Sequence, residues 1–217
     1  MRYNRNYHND KKIEKMNPYF KTPPAVKNLI IANCLFFLAT YLIPQANSFL
    51  ATYGQLFWVG SPYFHFYQFV SYMFLHGSFS HLFFNMFALW MFGRTLEYEL
   101  GTKRFLIYYF VCGVGAAIFQ MLVAWAFGET GFTMLGASGA TMGLLMAFGV
   151  MHPNNQIFIF PFPMPIKAKW FVIGYIVLEL FQGWGVNDGV AHFAHVGGML
   201  WGWALLYYWK NNRKIYF

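Results

Sequence analysis

The chain has 217 residues, of which 58% are hydrophobic and 10% are charged. About 25% of the residues of an average soluble domain are charged, so this composition excludes such a domain and indicates an integral membrane protein. The net charge of +8 would also suit a nucleic-acid-binding protein. The Lys and Arg residues are divided between an N-terminal tail and the ends of apolar segments, however, so we predict no nucleic-acid partner.

The N-terminal residues 1–24 are polar and basic. This segment ends in Thr22-Pro23-Pro24, and its composition predicts a flexible cytoplasmic tail in contact with lipid headgroups. The apolar segment that follows is too long for the core of a cleavable signal peptide, so we expect no such peptide.

Six apolar segments predict six membrane-spanning helices, and hence an all-α fold. We place them at about residues 29–50, 78–100, 103–127, 138–152, 169–183 and 190–209. In the first span, Pro44 lies close enough to the helix end to be tolerated. All 15 Lys and Arg residues then fall on one side of the membrane, which predicts an N-in/C-in topology. Residues 25–210 form one six-helix domain in this interpretation, and residues 211–217 form a short cytoplasmic tail.

Residues 51–77 are rich in aromatic residues and contain no Lys, Arg, Asp or Glu. Gly54, Gly60 and Pro62 interrupt the segment, so we do not expect it to span the membrane as one helix. Because aromatic rings prefer the level of the lipid headgroups, we predict that the segment lies partly in the outer leaflet. Residues 158–165 are predicted to form an interfacial loop on the inner side.

Four polar residues, His81, Asn85, Ser138 and His195, lie within three of the predicted spans. Polar side chains inside a membrane are costly and are usually functional. With a rise of about 1.5 Å per residue, Asn85, Ser138 and His195 each lie roughly 22–24 Å from the inner end of their helix. This places them in one layer near the outer surface, with His81 about one turn higher on the helix face of Asn85.

These four residues suit a nucleophilic hydrolase if they meet. A serine hydroxyl becomes a nucleophile when a base removes its proton, and a neutral imidazole is such a base near pH 7. Ser138 is therefore the candidate nucleophile and His195 the candidate general base. The amide N–H of Ser138, the Asn85 amide and the His81 imidazole are candidate donors to an oxyanion. No Asp or Glu is obviously placed to orient His195, so we predict a Ser–His dyad and assign no third member.

A simpler interpretation of Ser138, taken alone, is that it only allows two helices to pack closely. Small faces that favour such packing recur one turn apart on the fourth span, with Gly139 and Gly143, and on the sixth, with Gly198 and Gly202. The partners of Ser138 in other spans shift the interpretation to catalysis.

Other histidines and an acidic residue have structural interpretations. His76 is expected to form a structural hydrogen bond, and His192 to lie at the membrane interface. Glu179 either lines a water-filled cavity or extends to the interface, and both interpretations stay open.

Metal binding is disfavoured. A zinc site formed by His76, His81 and His195 would lack the acidic residue that accompanies the pair in His-Glu-x-x-His. Cys34 and Cys112 lie in apolar runs and indicate neither a disulfide nor a metal site. We therefore predict no metal and no cofactor.

Three motifs resemble those of the rhomboid family of intramembrane serine proteases. They are His76-Gly-Ser-Phe-Ser-His81-Leu-Phe-Phe-Asn85, Gly136-Ala-Ser138-Gly139 and Ala194-His195-Val-Gly-Gly198-Met-Leu-Trp-Gly202. The resemblance covers nearly the whole chain from Val26 onward. It implies Ser138 as nucleophile, His195 as base, and His81, Asn85 and the Ser138 amide as the oxyanion hole. It also implies a six-helix bundle with a water-filled cavity open to the outside.

The resemblance further implies that Glu97 is a buried structural carboxylate at the inner end of the second helix. Two positions depart from the family pattern. Met142 stands where several members carry a tyrosine that stacks on the catalytic histidine, and a sulfur–ring contact is expected in its place. Tyr67 and Gln68 stand where many members carry a tryptophan–arginine pair in the first outer loop, so the anchor of this loop is not assigned.

We predict an intramembrane serine endopeptidase that cleaves single-span membrane proteins near the outer membrane surface. Its expected partners are these substrates and the lipid bilayer. A non-catalytic binder of transmembrane helices is the alternative, and a transporter is disfavoured because the polar layer is off-centre and no internal repeat is visible. We expect the protein in the cytoplasmic membrane of a bacterium, with the active site open to the extracytoplasmic side.

Overall fold

Helices form most of the chain in the computed structural model, which describes residues 21–129, 131–158, 164–185, 191–212 and 215. The α-helices are α1 (Pro24–Leu42), α2 (Pro44–Tyr53), α3 (Gln68–Ser71), α4 (Phe79–Ala88), α5 (Arg94–Leu100), α6 (Thr102–Phe127), α7 (Ser138–Met151), α8 (Ala168–Gly185) and α9 (His192–Asn211). The predicted basic tail lies almost wholly outside the described residues, as do most of the C-terminal tail and part of the predicted inner loop.

Two of the described helices, α1 and α6, are long and apolar enough to cross a membrane by length and composition alone. Helix α7 is also apolar but has only 14 residues. Many large apolar side chains on the outer faces of the helices are exposed, among them Trp125, Phe181 and Trp184 at 72%, 75% and 76%. Such a surface suits contact with lipid rather than with water.

The predicted first span is not one helix. Helix α1 ends at Leu42, and α2 begins at Pro44 after one extended residue, Ile43. Proline has no N–H to donate and its ring collides with the preceding turn, whereas the first position of a new helix accepts it. Pro44 therefore breaks the helix, contrary to the prediction that it is tolerated within the span.

The predicted second span is a single helical segment of three parts. Ser78 caps α4, because its hydroxyl accepts a hydrogen bond from the amide of His81 at 3.1 Å. A π-helical turn, Leu89–Gly93, connects α4 to α5 without leaving the helical region of backbone angles. Gly101 ends the segment with a φ of 78°, a conformation that glycine adopts without strain.

Helices α6, α7 and α9 pack against one another in the centre of the molecule. The closest approach joins α7 to α9, where a Cβ atom at Gly198 would overlap the carbonyl oxygen of Gly139. Gly143 and Gly202 instead contact α6: the Tyr108 hydroxyl donates to the Gly143 carbonyl at 2.8 Å, and a Cβ at Gly202 would overlap this hydroxyl. Because glycine has no side chain, these positions allow the three helices to pack closely at one level of the bundle.

Two short antiparallel strand pairs join the loops at opposite ends of the bundle. Strand β1 (Leu56–Phe57) pairs with β2 (Thr133–Met134), and β3 (Gln156–Ile157) pairs with β4 (Ile166–Lys167). The sequence did not predict these strands. Since β2 ends four residues before Ser138, the first pair attaches the aromatic segment of residues 51–77 to the start of α7.

Candidate active site

Ser138 is the first residue of α7. The first N–H groups of a helix have no partner within the helix and carry the positive end of its dipole, so the Ser138 amide can donate to an anion. Gly136 directs the chain into the helix with a φ of 119°, and its amide donates to the Tyr72 carbonyl at 2.9 Å. A Cβ at Gly136 would also lie only 2.6 Å from Nε2 of His81. Glycine is therefore required by both backbone conformation and space.

Asn85 and His81 occupy one face of α4. The Asn85 side-chain amide donates to the His81 carbonyl at 2.9 Å, one turn earlier. Thr141 on α7 donates its hydroxyl to Oδ1 of Asn85 at 3.3 Å and lies 3.1 Å from the Ser138 carbonyl oxygen. Because the Asn85 NH2 group has two protons and donates one to the His81 carbonyl, the second is available for another acceptor.

His195 lies in the first turn of α9, and Glu179 of α8 lies beside it. Oε2 of Glu179 accepts from Nδ1 of His195 at 3.0 Å and from Nδ1 of His192 at 2.8 Å. Glu179, His192 and His195 are 3%, 5% and 8% exposed. The three residues therefore form a buried polar cluster between two helices.

One cavity of about 690 Å³ brings the predicted site residues together. Its lining includes Ser138, His195, His81, Asn85 and Met142. Within the described part of the chain, no hydrogen bond joins the Ser138 hydroxyl to the His195 ring. Catalytic hydrogen bonds are often long before substrate binds, so this arrangement is compatible with a dyad that closes around substrate.

His76 lies next to this cavity but does not line it. Its ring packs edge-on against the His81 ring, with centroids 5.0 Å apart. Among the described residues, neither of its ring nitrogens forms a hydrogen bond of normal geometry, although the Phe74 backbone is close enough to act as a partner. The expected structural hydrogen bond stays a prediction. Burial, with a smaller contribution from His81, lowers the pKa of His76 to about 3. A neutral ring of this kind supports His81 by packing.

Glu97 is buried at the other end of the second helical segment. Its two carboxylate oxygens accept from the amides of Ala25 and Val26 at 2.9 and 2.8 Å, and the Thr102 hydroxyl donates to Oε1 at 2.7 Å. The carboxylate thus holds the N-terminus of α1, as the resemblance implied. The expected sulfur–ring contact of Met142 stays a prediction.

Gln68 is the anchor that the sequence did not assign. Its side chain is fully buried, and Nε2 donates to the carbonyls of Tyr53 and Tyr63 at 3.2 and 2.8 Å. Oε1 accepts from the amides of His65 and Phe57 at 3.2 and 3.4 Å. The neutral side-chain amide of Gln68 therefore connects four backbone groups of the aromatic segment to one another. The signal available in the sequence was a polar amide side chain in a segment without charged residues.

The sequence identifies Glu179 as an acidic residue within a predicted span, but it does not reveal that His192 and His195 are its hydrogen-bond partners. Extension to the interface does not fit a carboxylate that is 3% exposed and bonded to two imidazoles. The nitrogen and oxygen atoms of Glu179, His192 and His195 lie within 4.8 Å of one another, so this trio, rather than His76 with His81 and His195, has the spacing of a possible ligand set.

Comparison with known proteins relates the chain to one family. Residues 63–212 match the model of the Rhomboid domain. The chain is 33% identical to Rhomboid protein 1, mitochondrial, of Saccharomyces cerevisiae over 210 residues, which cover 91% of this chain and 56% of that protein. It is 32% identical over 154 residues to the human presenilin-associated rhomboid-like protein, mitochondrial, covering 65% of this chain and 39% of the relative. It is 28% identical over 180 residues to Rhomboid protease GlpG of Yersinia pseudotuberculosis, covering 82% and 60%.

The chain therefore spans about half the length of the curated relatives that it matches. The prediction of a bacterial cytoplasmic membrane is wrong, because the yeast and human relatives, which are mitochondrial proteins, are more similar to this chain than the Yersinia protease is. The domain match covers more than half of the chain and contains all three sequence motifs from His76 onward. The chain belongs to the rhomboid family.

Proposed function

We propose that this chain is an intramembrane serine endopeptidase that cleaves single-span membrane proteins near one surface of the membrane. The observation that carries the proposal is the single cavity onto which Ser138, His195, His81 and Asn85 open. Membership of the rhomboid family supports it, as does the similarity to a Yersinia protein named as a rhomboid protease.

The proposed arrangement has six spans, formed by α1, the segment from α4 to α5, α6, α7, α8 and α9, with both termini on the inner side. Residues 25–210 form the membrane domain, with residues 51–77 in the opposite leaflet and basic tails at 1–24 and 211–217. A 14-residue α7 is about 21 Å long, shorter than a hydrocarbon core of about 30 Å. With the C-terminal end of α7 at the inner surface, Ser138 at its N-terminus lies below the opposite membrane surface, and water reaches it through the cavity.

Each group in the cavity has a role in peptide hydrolysis. Oγ of Ser138 attacks the substrate carbonyl carbon while its proton passes to Nε2 of His195. The carbonyl oxygen becomes an oxyanion, which accepts hydrogen bonds from the Ser138 amide, the Asn85 amide and His81. The intermediate expels the amine, which takes the proton from His195. Water activated by His195 then hydrolyses the acyl-enzyme and restores Ser138.

The depth of Ser138 restricts the substrate. A peptide bond inside a transmembrane helix is shielded by its own backbone hydrogen bonds, so the substrate must unwind before its carbonyl reaches the hydroxyl. Helix-breaking or small residues near the cleavage site lower the cost of unwinding. Single-span proteins with such residues near one membrane surface are the proposed substrates.

Cleavage of a single-span reporter in proteoliposomes tests the proposal. Ser138→Ala and His195→Ala are expected to abolish cleavage, whereas Ser48→Ala, a substitution at an exposed serine of α2, is expected to cleave like the parent chain. Cleavage by Ser138→Ala at the rate of the parent would overturn the assignment.

A non-catalytic binder of transmembrane helices is the second candidate. It is favoured by the lack of a Ser138–His195 hydrogen bond in the described part of the chain. A mechanism-based serine reagent separates the candidates. A protease is expected to be labelled at Ser138 in the parent and not in His195→Ala, whereas a binder leaves Ser138 unmodified in both.

A further inference from the structure

We propose that Glu179 is a positioning residue for His195, so that the catalytic unit of this chain has three members, Ser138, His195 and Glu179. This inference rests on the proposed function. It assigns a role to a buried acidic side chain that the Ser–His mechanism leaves unused.

The geometry of the Glu179 carboxylate carries the proposal. One oxygen, Oε2, lies 3.0 Å from Nδ1 of His195 and 2.8 Å from Nδ1 of His192. Both lengths are those of direct hydrogen bonds. Because Glu179 belongs to α8 and both histidines to α9, the carboxylate also ties the two helices together at the level of the site.

The carboxylate determines the tautomer of His195. An ionised carboxylate can only accept, so Nδ1 of His195 carries the proton in this hydrogen bond. In a neutral imidazole the other nitrogen, Nε2, then has a free lone pair. The nitrogen that must take the proton of Ser138 therefore carries no proton of its own, and rotation of the ring is restrained.

The same contact acts during the reaction. When Nε2 takes the Ser138 proton, the imidazole becomes a cation with a carboxylate 3.0 Å from its Nδ1. A carboxylate in this position stabilises the imidazolium without itself taking the proton. His192 helps to hold the carboxylate in place, since a buried charge needs several hydrogen bonds to offset its loss of hydration.

Metal binding is the competing explanation of the trio. Ligand atoms around a tetrahedral zinc ion at 2.0–2.2 Å are about 3.3 Å apart. The two Oε2 distances of 2.8 and 3.0 Å are shorter and correspond to direct hydrogen bonds. The distances thus favour hydrogen bonds between Glu179 and the two histidines over metal ligation. Added metal is expected to inhibit cleavage only if it replaces the protons of these hydrogen bonds.

Kinetics in proteoliposomes test the role through matched substitutions. Glu179→Gln is expected to lower kcat by roughly 100-fold with little change in KM, because misorientation of the base affects the chemical step. The control, Glu99→Gln, changes a partly exposed glutamate that pairs with His152 far from the cavity. If the parent cleaves, Ser138→Ala does not, and Glu179→Gln retains the kcat of Glu99→Gln, the inference fails while the proposed function stands.

A spectroscopic measurement tests the contact independently of activity. In the ¹⁵N-histidine-labelled parent, the signals lost in His195→Gln identify His195, which is expected to be protonated at Nδ1. Glu179→Gln is expected to change its tautomer population, whereas Glu99→Gln leaves it unchanged. An unaltered His195 spectrum in Glu179→Gln would overturn the inference.

Loss of the Nδ1–H signal on addition of Zn²⁺ to the parent at micromolar concentration, with 1:1 binding, would assign the trio to a metal instead.

Discussion

The hydroxyl of Thr141 on α7 donates to Oδ1 of Asn85 on α4 at 3.3 Å, across the interface between the two helices. Thr141 has no role in the proposed chemistry, yet its contact, together with the hydrogen bond from the Asn85 NH2 group to the His81 carbonyl, orients the Asn85 amide. One proton of the NH2 group is donated to the His81 carbonyl, and the second remains for an oxyanion.

Thr141→Val tests this relationship. Valine has nearly the shape of threonine but no hydroxyl, so the Asn85 amide is expected to be held less firmly, by the His81 carbonyl alone. We predict a fall in kcat of roughly 3- to 30-fold at unchanged KM, smaller than the 100-fold or greater loss expected on removal of an oxyanion donor with Asn85→Ala. The measurement is reporter cleavage in proteoliposomes.

Thr40→Val is the matched control, since the Thr40 hydroxyl donates to a carbonyl of its own helix, that of Phe37 at 2.8 Å. Equal kcat values for the two valine variants would show that Thr141 does not orient the amide.

Gln68 provides a prediction about the aromatic segment. Gln68→Leu removes a side chain that bonds to four backbone groups, and buried polar groups without partners cost about 1–3 kcal/mol each. We expect the free energy of unfolding to fall by at least this amount and amide exchange of residues 54–68 to accelerate. Gln45→Leu, at an exposed position of α2, should change neither quantity. Unchanged exchange in Gln68→Leu would mean that ring packing alone holds the segment.

The predictability of the site differs from one residue to the next. Ser138, His195, His81 and Asn85 stand out because they are polar residues in apolar helices, and a constant rise per residue places them at one depth. Glu179 was visible by the same criterion, but its contact with His195 depends on how α8 packs against α9, and a spacing of 16 residues across a loop has no helical periodicity.

Local backbone features limited the prediction of the fold in a similar way. The break at Ile43 follows from the missing N–H of Pro44, and greater weight on this rule would have found it. The π-helical turn at Leu89–Gly93 and the pairing of Leu56 with Met134 depend on contacts between distant segments, which hydrophobic periodicity does not encode.

Gly198 is predicted to be the least tolerant of the packing glycines. In Gly198→Ala the new methyl group would overlap the carbonyl oxygen of Gly139, a backbone atom that cannot move without shifting α7. We expect a loss of about 1–3 kcal/mol in the free energy of unfolding, together with lower kcat, because Ser138 and His195 lie next to the contact. Thermal unfolding in detergent and reporter cleavage measure the two effects.

Gly174→Ala on α8 is the control for this substitution, since among the described residues no atom beyond the neighbouring backbone of its own helix lies within 4 Å of a Cβ built there. Gly198→Ala with the stability and activity of Gly174→Ala would mean that α7 and α9 can separate without cost.

Substitution of Glu97 is expected to lower stability without affecting catalysis. Its carboxylate accepts the amides of Ala25 and Val26, so Glu97→Gln places an NH2 group against one of these donors. We expect the free energy of unfolding to fall by about 1–3 kcal/mol and the start of α1 to become more accessible to protease. Because Glu97 is twelve residues, or about 18 Å, from Asn85 along the helical segment, kcat per folded molecule should stay at the parent value. Glu99→Gln, two residues away and partly exposed, should leave both stability and protease accessibility unchanged. A fall in kcat without a loss of stability in Glu97→Gln would contradict a purely structural role. It would mean that this carboxylate influences the geometry of the cavity.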